Sequence, residues 1–322
     1  MKIATSLIAA LFLASAATAV MPDDPAKIDT CTKPGVVALT FDDGPGMYND
    51  QLLALLAKKN VKATFFVLGS MIAANAQQAG ALKKILAGGH QLASHTYSHG
   101  NLDAMTEDAM RLEISKTSDI MFQHAGVRPA YMRAPEGRCA AACTKVMEGL
   151  GLVISHWNVD TNDWRFKDLA PATAADKSME EINKVIIQDS NPATDSFILL
   201  EHEIHKFSVD LVAERVIDTI TAKGYKFVTM EECVGKPSYL TGSVVPPVVP
   251  PTTNTTGPAV PPTTGPVVPP SAGVTTGAPQ KTSSGPIVPT ITTGNKGANS
   301  AGLVRAGAWA MGVAAAVGFA ML

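Results

Sequence analysis

The middle of the chain alternates between short apolar runs, rich in β-branched and aromatic residues, and longer segments of helical character. The apolar runs lie at residues 36–41, 61–68, 90–94, 131–133, 152–159, 196–200 and 226–229. Helical segments are predicted between most of them, and the clearest cover 50–59, 71–87 and 106–125. Such alternation favours a parallel sheet, and about seven strands in one domain suit a closed or nearly closed (β/α) barrel. An open doubly wound sheet of the same α/β class is the alternative.

The start of the chain has the pattern of a secretory signal. Lys2 precedes the apolar residues 3–16, and the small residues Ala17-Thr18-Ala19 offer a cleavage site. We therefore expect residues 1–19 to be a signal peptide and the mature protein to be secreted.

The end of the chain has the pattern of an anchor signal. Arg305 is followed by a mostly apolar tail, and small residues surround Asn299. This arrangement fits a glycosylphosphatidylinositol (GPI) signal over residues 299–322, in which Asn299 receives the anchor and the hydrophobic tail that follows it is removed. The expected location is the cell surface, attached to the plasma membrane or the cell wall. A plain transmembrane tail is the alternative.

Residues 238–298 are rich in Pro, Thr, Val, Gly and Ser and contain no carboxylate. Neither a packed core nor charge pairing can order such a segment, so we predict a disordered, extended stalk. The sequence Asn254-Thr255-Thr256 makes Asn254 a candidate N-glycosylation site. The stalk leaves a globular unit at 30–237, long enough for one domain. The full chain has a formal net charge of -2 and no basic run with interleaved aromatics, which argues against nucleic acid, and nothing demands more than a monomer.

Four cysteines fall within the globular unit: Cys31, Cys139, Cys143 and Cys233. An even number in an oxidising compartment indicates disulfides, for which three pairings exist. Cys31 and Cys233 bracket the domain while Cys139 and Cys143 are close neighbours, which favours these two pairs. A cysteine metal site is the alternative, but the paired C-x-x-C modules typical of such sites are missing.

Ionisable residues follow five of the predicted strands at the points where the strands end. They are Asp42 and Asp43, His95 and His99, the segment 133–137, the segment 160–164 and the segment 200–202. The carboxyl ends of parallel strands in a barrel lie at one face, where barrel enzymes gather their sites. The sequence therefore predicts one polar site built from five connections.

Two of these connections supply metal-ligand types. His95 and His99 are four residues apart, so on a helical turn both rings would project from one face and share an ion. An upstream carboxylate completes a two-His, one-carboxylate set with open positions for a water and a substrate oxygen. Asp42 and Asp43 leave an extended segment on opposite sides, so one can bind the metal while the other moves a proton. A solvated Asp-Gly turn is the alternative interpretation of the doublet.

The five segments together resemble the polysaccharide deacetylase family (carbohydrate esterase family 4). They read T-F-D-D-G-P from Thr40, H-T-Y-S-H from His95, R-A-P-E-G from Arg133, D-T-N-D-W from Asp160 and L-E-H from Leu200. The family carries the same five motifs in the same order, and the resemblance covers about residues 36–229. It implies a distorted (β/α) barrel and metal-dependent removal of acetyl groups from N-acetylglucosamine polymers.

The resemblance also implies residue roles, carried over position by position. Asp43, His95 and His99 are expected to hold one divalent metal, with zinc first and cobalt or another divalent ion as alternatives. Asp42 is expected to be the general base. His202 is expected to be the general acid that protonates the leaving amine.

Further roles follow from the same motifs. Arg133 is expected to orient the base and Asp163 to tune the acid, while Trp164 and Leu200 line the acetyl pocket. The chain departs from the family at Glu136, where the family has an aromatic residue. This departure gives the groove wall a charge in place of a stacking surface, and so bears on substrate length and subsite preference.

The expected function is that of a surface-anchored chitin deacetylase, resembling the fungal GPI-anchored enzymes, which converts chitin to chitosan and acetate. Tyr97 is a candidate groove residue, with an exposed loop aromatic as the alternative. An O-acetyl esterase acting on xylan or another polysaccharide remains open, because the same site can cleave an ester. A wall protein that binds chitin without turnover and an iron oxygenase with the same ligands are further alternatives. Neither gives roles to both Asp42 and His202.

Overall fold

The structure is a computed structural model, and it describes residues 27–243. The predicted signal peptide, most of the predicted stalk with Asn254, and the predicted anchor signal with Asn299 lie outside the described residues. None of the helices in 27–243 has the length and apolar character needed to span a bilayer. Packing extends beyond the predicted limits of 30 and 237, because the Ser238 carbonyl accepts the amide of Ala130 and a strand begins at Lys27.

Nine strands form one sheet within the described residues, and every ladder in it is parallel. They are β1 Lys27–Ile28, β2 Val36–Gly44, β3 Thr64–Val67, β4 Gln91–Ser94, β5 Tyr131–Met132, β6 Val153–Ser155, β7 Val159–Asp160, β8 Phe197–His202 and β9 Lys226–Val228. The strand order is β1-β6-β5-β4-β3-β2-β8-β7, and β9 pairs with the start of β2. Consecutive strands are thus neighbours around most of the sheet, as in a barrel.

The prediction of a distorted (β/α) barrel is confirmed, with the distortion located between β6 and β7. The sequence predicted one strand over 152–159, but the chain leaves the sheet after Ser155 and rejoins it at Val159. The amide of His156 donates to the Ile28 carbonyl and that of Asn158 to the Ile198 carbonyl, so the two halves bond to different strands. In residues 27–243 no ladder joins β1 to β7, the two ends of the strand order, so the barrel is open between them.

Helices cover the outside of the sheet. They are α1 Asn49–Lys59, α2 Gly69–Ala74, α3 Ala76–Ala87, α4 Glu107–Ala125, α5 Ala141–Gly149, α6 Asp163–Phe166, α7 Pro171–Ile182, α8 Ala213–Lys223 and α9 Met230–Val234. The predicted helix over 71–87 is interrupted at Asn75, whose backbone is extended and whose side chain caps α3 by accepting the amide of Gln78. A π-helical turn, Ser208–Val212, leads into α8.

The alternation of side chains along β2 separates the core from the site. Val37, Leu39 and Phe41 are fully buried in the largest hydrophobic cluster, which they share with residues of α1, α3 and α8. Thr40 and Asp42 take the opposite face, since successive side chains of a strand point to opposite sides. Both are buried in the barrel interior. The period of two therefore delivers a carboxylate inside the barrel at the strand's carboxyl end.

Both predicted disulfides are present in the structure. Cys31 is bonded to Cys233, with a sequence separation of 202, and Cys139 is bonded to Cys143, with a separation of 4. The first joins the segment after β1 to α9, so it fastens the two ends of the described chain. No free cysteine remains within 27–243.

The two disulfides should differ in their contribution to stability. Replacing Cys31 and Cys233 by Ser should lower the free energy of unfolding by about 5 kcal/mol, because the unfolded chain then gains the freedom of a long open loop. Replacing Cys139 and Cys143 by Ser should lower it by only about 2 kcal/mol, since the loop it opens is short. Urea unfolding of both variants measures the difference, and equal losses would contradict the expectation.

Candidate active site

The end of β2 carries both aspartates of the first motif into the same cavity. Asp42 continues the alternation of the strand, but the pairing register shifts between Asp42 and Gly44. Asp43 forms this bulge with a φ of 71°, in the left-handed region. Its Oδ1 lies 3.4 Å from His95 Nε2, and Asp42 Oδ2 lies 3.7 Å from the same nitrogen. The prediction that the two carboxylates point to opposite sides was wrong, because the bulge turns Asp43 back towards its neighbour.

The two histidines lie on an irregular loop after β4. The predicted helical turn was wrong, since Thr96 and His99 have positive φ values of 70° and 60°. The rings nevertheless converge, with centroids 5.1 Å apart. The spacing of four residues was therefore a correct sign of proximity, although a different backbone produces it.

A glutamate of α4, not recognised in the sequence, holds this loop in place. Glu113 Oε2 accepts the amides of Tyr97 and Ser98 at 2.9 and 2.8 Å, and its Oε1 accepts the Ser98 hydroxyl at 3.0 Å. The amide of Gly69 donates to the Thr96 carbonyl at 3.0 Å. Hydrogen bonds to a carboxylate are about twice as strong as neutral ones, so Glu113 fixes the backbone between the two histidines.

Three side chains converge as a candidate metal site. Asp43 Oδ1 lies 3.4 Å from His95 Nε2 and 3.3 Å from His99 Nε2. The ligand atoms all lie within 4.8 Å of one another. Asp43 Oδ1 is buried and has no hydrogen-bond partner, as expected of an oxygen reserved for an ion. Burial raises the pKa of Asp43, but the close approach and charge of His95, with the charges of His202 and His99, outweigh it and lower that pKa to about 2.

The orientation of His95 suits a ligand. Its Nδ1 lies 2.9 Å from the carbonyl oxygen of Arg133 and therefore donates to it. A neutral imidazole with its hydrogen on Nδ1 keeps the lone pair of Nε2 free for a metal. The nitrogen and carboxylate donor set thus fits one divalent cation.

Arg133 is a buried cation that holds Asp42. Its Nη1 donates to Asp42 Oδ1 at 2.8 Å and to Thr40 Oγ1 at 2.7 Å, while Nη2 donates to the His156 carbonyl at 3.1 Å. The guanidinium lies over the ring of Phe66, 4.1 Å from its centroid. Burial lowers the pKa of Arg133, and Asp42 acts in the opposite sense. These contacts fix Oδ1 of Asp42, while Oδ2 of the same carboxylate faces His95.

His202 and Asp163 form a second pair on the other side of the cavity. His202 ends β8, and its Nδ1 lies 2.7 Å from Asp163 Oδ1. Asp163 also accepts the amides of Trp164 and His202, both at 2.8 Å. Burial lowers the pKa of His202, but Asp163, followed by Asp42 and Asp43, outweighs it and raises the pKa to about 9. The imidazole is therefore protonated at neutral pH.

The two pairs face a cavity of about 500 Å³. Its lining includes the predicted Trp164, Leu200 and Glu136, together with Asp160, the first residue of the D-T-N-D-W segment, which was given no role of its own. Arg138 and Trp157 also line it, and sequence patterns did not single them out. Trp164 is exposed over 46% of its surface and donates from its indole nitrogen to Asp160 Oδ2 at 3.4 Å. The wall thus combines an exposed ring with carboxylates.

Glu136 and Tyr97, the other two candidate groove residues, lie in different places. Glu136 has a φ of 55° and forms an exposed ion pair with Arg138 at 2.9 Å, on the rim of the cavity. Tyr97 is not among the lining residues. Its half-buried ring lies against Gly69, where an added Cβ would meet Tyr97 Cδ2 at 2.4 Å, and beneath Lys116. Tyr97 therefore contributes to packing of the histidine loop.

The chain is similar to known deacetylases. The family model for polysaccharide deacetylase matches residues 29–155. A chitin deacetylase from Colletotrichum lindemuthianum is 36% identical over 207 residues, 64% of this chain and 82% of that protein. The peptidoglycan-N-acetylglucosamine deacetylase PgdA of Listeria monocytogenes is 36% identical over 201 residues, but the match spans only 39% of its length.

A solved structure agrees with these sequence matches. The chitin deacetylase of Colletotrichum lindemuthianum superposes with a TM-score of 0.63 and 34% identity, covering 66% of this chain and 95% of that structure. The two chains therefore share their fold over about two thirds of this chain. This chain belongs to the polysaccharide deacetylase family.

Proposed function

We propose that this protein is a chitin deacetylase, which hydrolyses the N-acetyl groups of N-acetylglucosamine residues in chitin to give chitosan and acetate. The main support for this proposal is that Asp42 and His202 lie on two sides of a cavity that is also lined by Asp43, His95 and His99. Amide hydrolysis needs a base for the attacking water and an acid for the leaving nitrogen, and this cavity supplies one of each. The similarity to chitin deacetylases supports the choice of polymer.

Asp42 is the proposed general base. A divalent ion held by Asp43, His95 and His99, with zinc as the proposed metal, would lower the pKa of a water and polarise the acetyl carbonyl. Arg133 holds Oδ1 of Asp42 at 2.8 Å, which leaves Oδ2 to accept a proton from that water. The guanidinium fixes the direction of this oxygen, so Arg133 orients the base rather than reacting.

His202 is the proposed general acid. Its Nδ1 is engaged by Asp163, so Nε2 is the atom that delivers a proton to the leaving nitrogen. The raised pKa keeps that proton in place at neutral pH, and Asp163 is the residue chiefly responsible. Trp164 and Leu200 line the cavity and are proposed to contact the acetyl group and sugar ring. Glu136 is proposed to influence which neighbouring sugars are accepted.

We also propose that the enzyme is secreted and held at the cell surface by a GPI anchor at Asn299. The sequence patterns at the two ends support this location, as do the two disulfides, which form and persist in oxidising compartments. The stalk with Asn254 would then separate the enzyme from the membrane and allow it to reach wall polysaccharide.

Acetate release from chitin oligomers tests the function directly. The purified protein should release acetate, a chelator should abolish release, and added zinc should restore it. Asp42→Asn should lower kcat by roughly 10²–10⁴, because the amide cannot take the proton. Asp50→Asn, at an exposed carboxylate of α1 paired with Lys84, is the matched control and should retain activity. Acetate from xylan or peptidoglycan alone would replace chitin as the substrate, and none from any of them would refute the proposal.

The pH profile tests the assignment of the acid. Because His202 must be protonated, kcat should hold to about pH 9 and fall above it. Asp163→Asn removes the carboxylate that raises this pKa, so the alkaline limb should move down towards the ordinary histidine value of about 6.5. Asp176→Asn, an exposed residue of α7 paired with Arg215, serves as the control. An unchanged limb in Asp163→Asn would exclude His202 as the group that titrates.

Zinc affinity tests the role of Glu113. Glu113→Gln keeps the shape of the side chain but removes the charge that holds the amides of Tyr97 and Ser98. The histidine loop should loosen, and zinc affinity measured by titration should fall by about tenfold or more, as for other residues that orient ligands. Glu107→Gln, exposed in the first turn of α4, should leave the affinity unchanged. Equal affinities in the two variants would contradict the role of Glu113.

A further inference from the structure

A second carboxyl group lies behind the His202–Asp163 pair. Glu201 precedes His202 on β8, and its residue is fully buried. Ser208, in the first position of the π-helical turn, stands between the two carboxyl groups. Its Oγ lies 2.6 Å from Asp163 Oδ2 and 2.9 Å from Glu201 Oε1. A single hydroxyl thus joins two acidic side chains in a site without water access.

The number of hydrogens available for hydrogen bonding decides which of Asp163, Ser208 and Glu201 is protonated. Asp163 accepts from His202 Nδ1, from the His202 amide and from the Trp164 amide, so every one of these contacts requires it to be an acceptor. Ser208 has one hydrogen, and its shorter contact is with Asp163 Oδ2. That hydrogen is then unavailable for Glu201. Two oxygens that both present lone pairs would repel each other at 2.9 Å, so the hydrogen between them must come from Glu201.

We propose that Glu201 is a neutral carboxylic acid that positions the proton donor, through successive hydrogen bonds from Glu201 to Ser208, from Ser208 to Asp163, and between Asp163 and His202. The positioning role rests on the proposed function of His202 as the general acid. Glu201 and Ser208 contact neither the cavity nor the metal ligands, so both act through Asp163. No proton needs to travel along these hydrogen bonds.

The electrostatic surroundings of Glu201 favour the neutral form. Burial raises the pKa of Glu201 well above its ordinary value, and the negative charge of Asp163 on α6 raises it further. The hydrogen bond of Ser208 and the charge of His202, the next residue on β8, act in the opposite sense. The residue opposite Glu201 on β2 is Phe41, which offers no charge. Glu201 Oε2 is buried without a hydrogen-bond partner, a lesser penalty for the carbonyl oxygen of an acid than for a charged oxygen.

The contacts show what the arrangement does for catalysis. Asp163 Oδ2 is held from two directions, by the Ser208 hydroxyl and by the His202 amide. This fixes the plane of the carboxylate, and with it the direction in which Oδ1 meets His202 Nδ1. A cationic hydrogen-bond donor would partly neutralise the charge of the Asp163 carboxylate. The Ser208 hydroxyl is neutral, so it preserves the negative charge that keeps His202 protonated.

Thermal unfolding of Glu201→Gln against pH tests the protonation without any activity assay. Between pH 4.5 and 6 a neutral Glu201 binds a proton in the folded protein that it loses on unfolding, so the wild type loses stability as pH rises. Gln does not titrate. The Tm of Glu201→Gln should therefore rise relative to the wild type across this window, while His202 is protonated in both folded and unfolded states. Glu180→Gln, at an exposed glutamate of α7, controls for the loss of one carboxyl. If the Tm of Glu201→Gln stayed at a constant offset from that of the wild type, or fell relative to it as pH rises, Glu201 would not be neutral in the folded protein.

Kinetics of the full-length protein test the positioning role. Glu201→Gln retains a donor to Ser208 and should keep kcat within about twofold, whereas Glu201→Leu and Ser208→Ala should lower kcat by about tenfold or more with little change in KM, as for other residues that orient a functional group. Ser208→Thr restores the hydroxyl and should recover most of the activity. Ser208→Ala should also alter the alkaline limb of the pH profile, which a purely structural role would not move. Full activity in a folded Ser208→Ala variant would overturn the positioning role.

The two tests separate failure of this inference from failure of the proposed function. If the protein released no acetate, the proposed function would fail, and the Tm measurement would still report the protonation of Glu201. If acetate release were normal but the Tm curves ran parallel, the neutral acid alone would be wrong.

Discussion

The site depends on one buried cation, the guanidinium of Arg133. Its side chain binds Asp42 and Thr40, and its backbone carbonyl accepts the hydrogen of His95 Nδ1. A single residue thus sets the direction of the proposed base and the tautomer of a proposed metal ligand. A buried charge costs several kcal/mol unless it is paired and fully hydrogen-bonded, so loss of Asp42 would leave an uncompensated ion in the barrel interior. Packing of the guanidinium over the Phe66 ring offsets part of that cost and holds the planar guanidinium in one orientation.

The barrel explains why these groups meet. Parallel strands bring their carboxyl ends to one face, and the alternation along β2 turns Thr40 and Asp42 inward while Phe41 packs outward against helices. Alternation alone would send Asp43 away from the cavity. The bulge at Asp43 interrupts it and recruits a second carboxylate from the next position in the chain. One strand therefore supplies both a proposed ligand and a proposed base only because its last residues depart from regular β geometry.

The sequence predicted the alternation of strands and helices along the chain and the clustering of polar residues, because the first follows from local periodicity and the second from the rule that parallel strands end at one face. It did not predict the details that depend on distant partners. The loop from His95 to His99 has a non-helical backbone because Glu113 binds two of its amides, and nothing in five residues of local sequence specifies that contact. The strand predicted over 152–159 is broken for the same kind of reason, since the amides of His156 and Asn158 bond to Ile28 and Ile198. Ser208 was missed because no motif marks a serine six residues after the proposed acid.

The proposed base and acid are given opposite tasks by neighbours of opposite charge. Asp42 is held by a cation, Arg133, whereas His202 is held by an anion, Asp163. Environments that separate two titratable groups in this way are how one site provides a base and an acid at the same pH. The scheme requires that the charge behind His202 remain a single negative charge. A second ionised carboxylate beside Asp163 would raise the pKa of Asp163 itself and draw the proton of His202 towards it. A neutral Glu201 avoids that outcome and still fills the buried space with a hydrogen-bond donor, which an apolar residue at the same position would not provide.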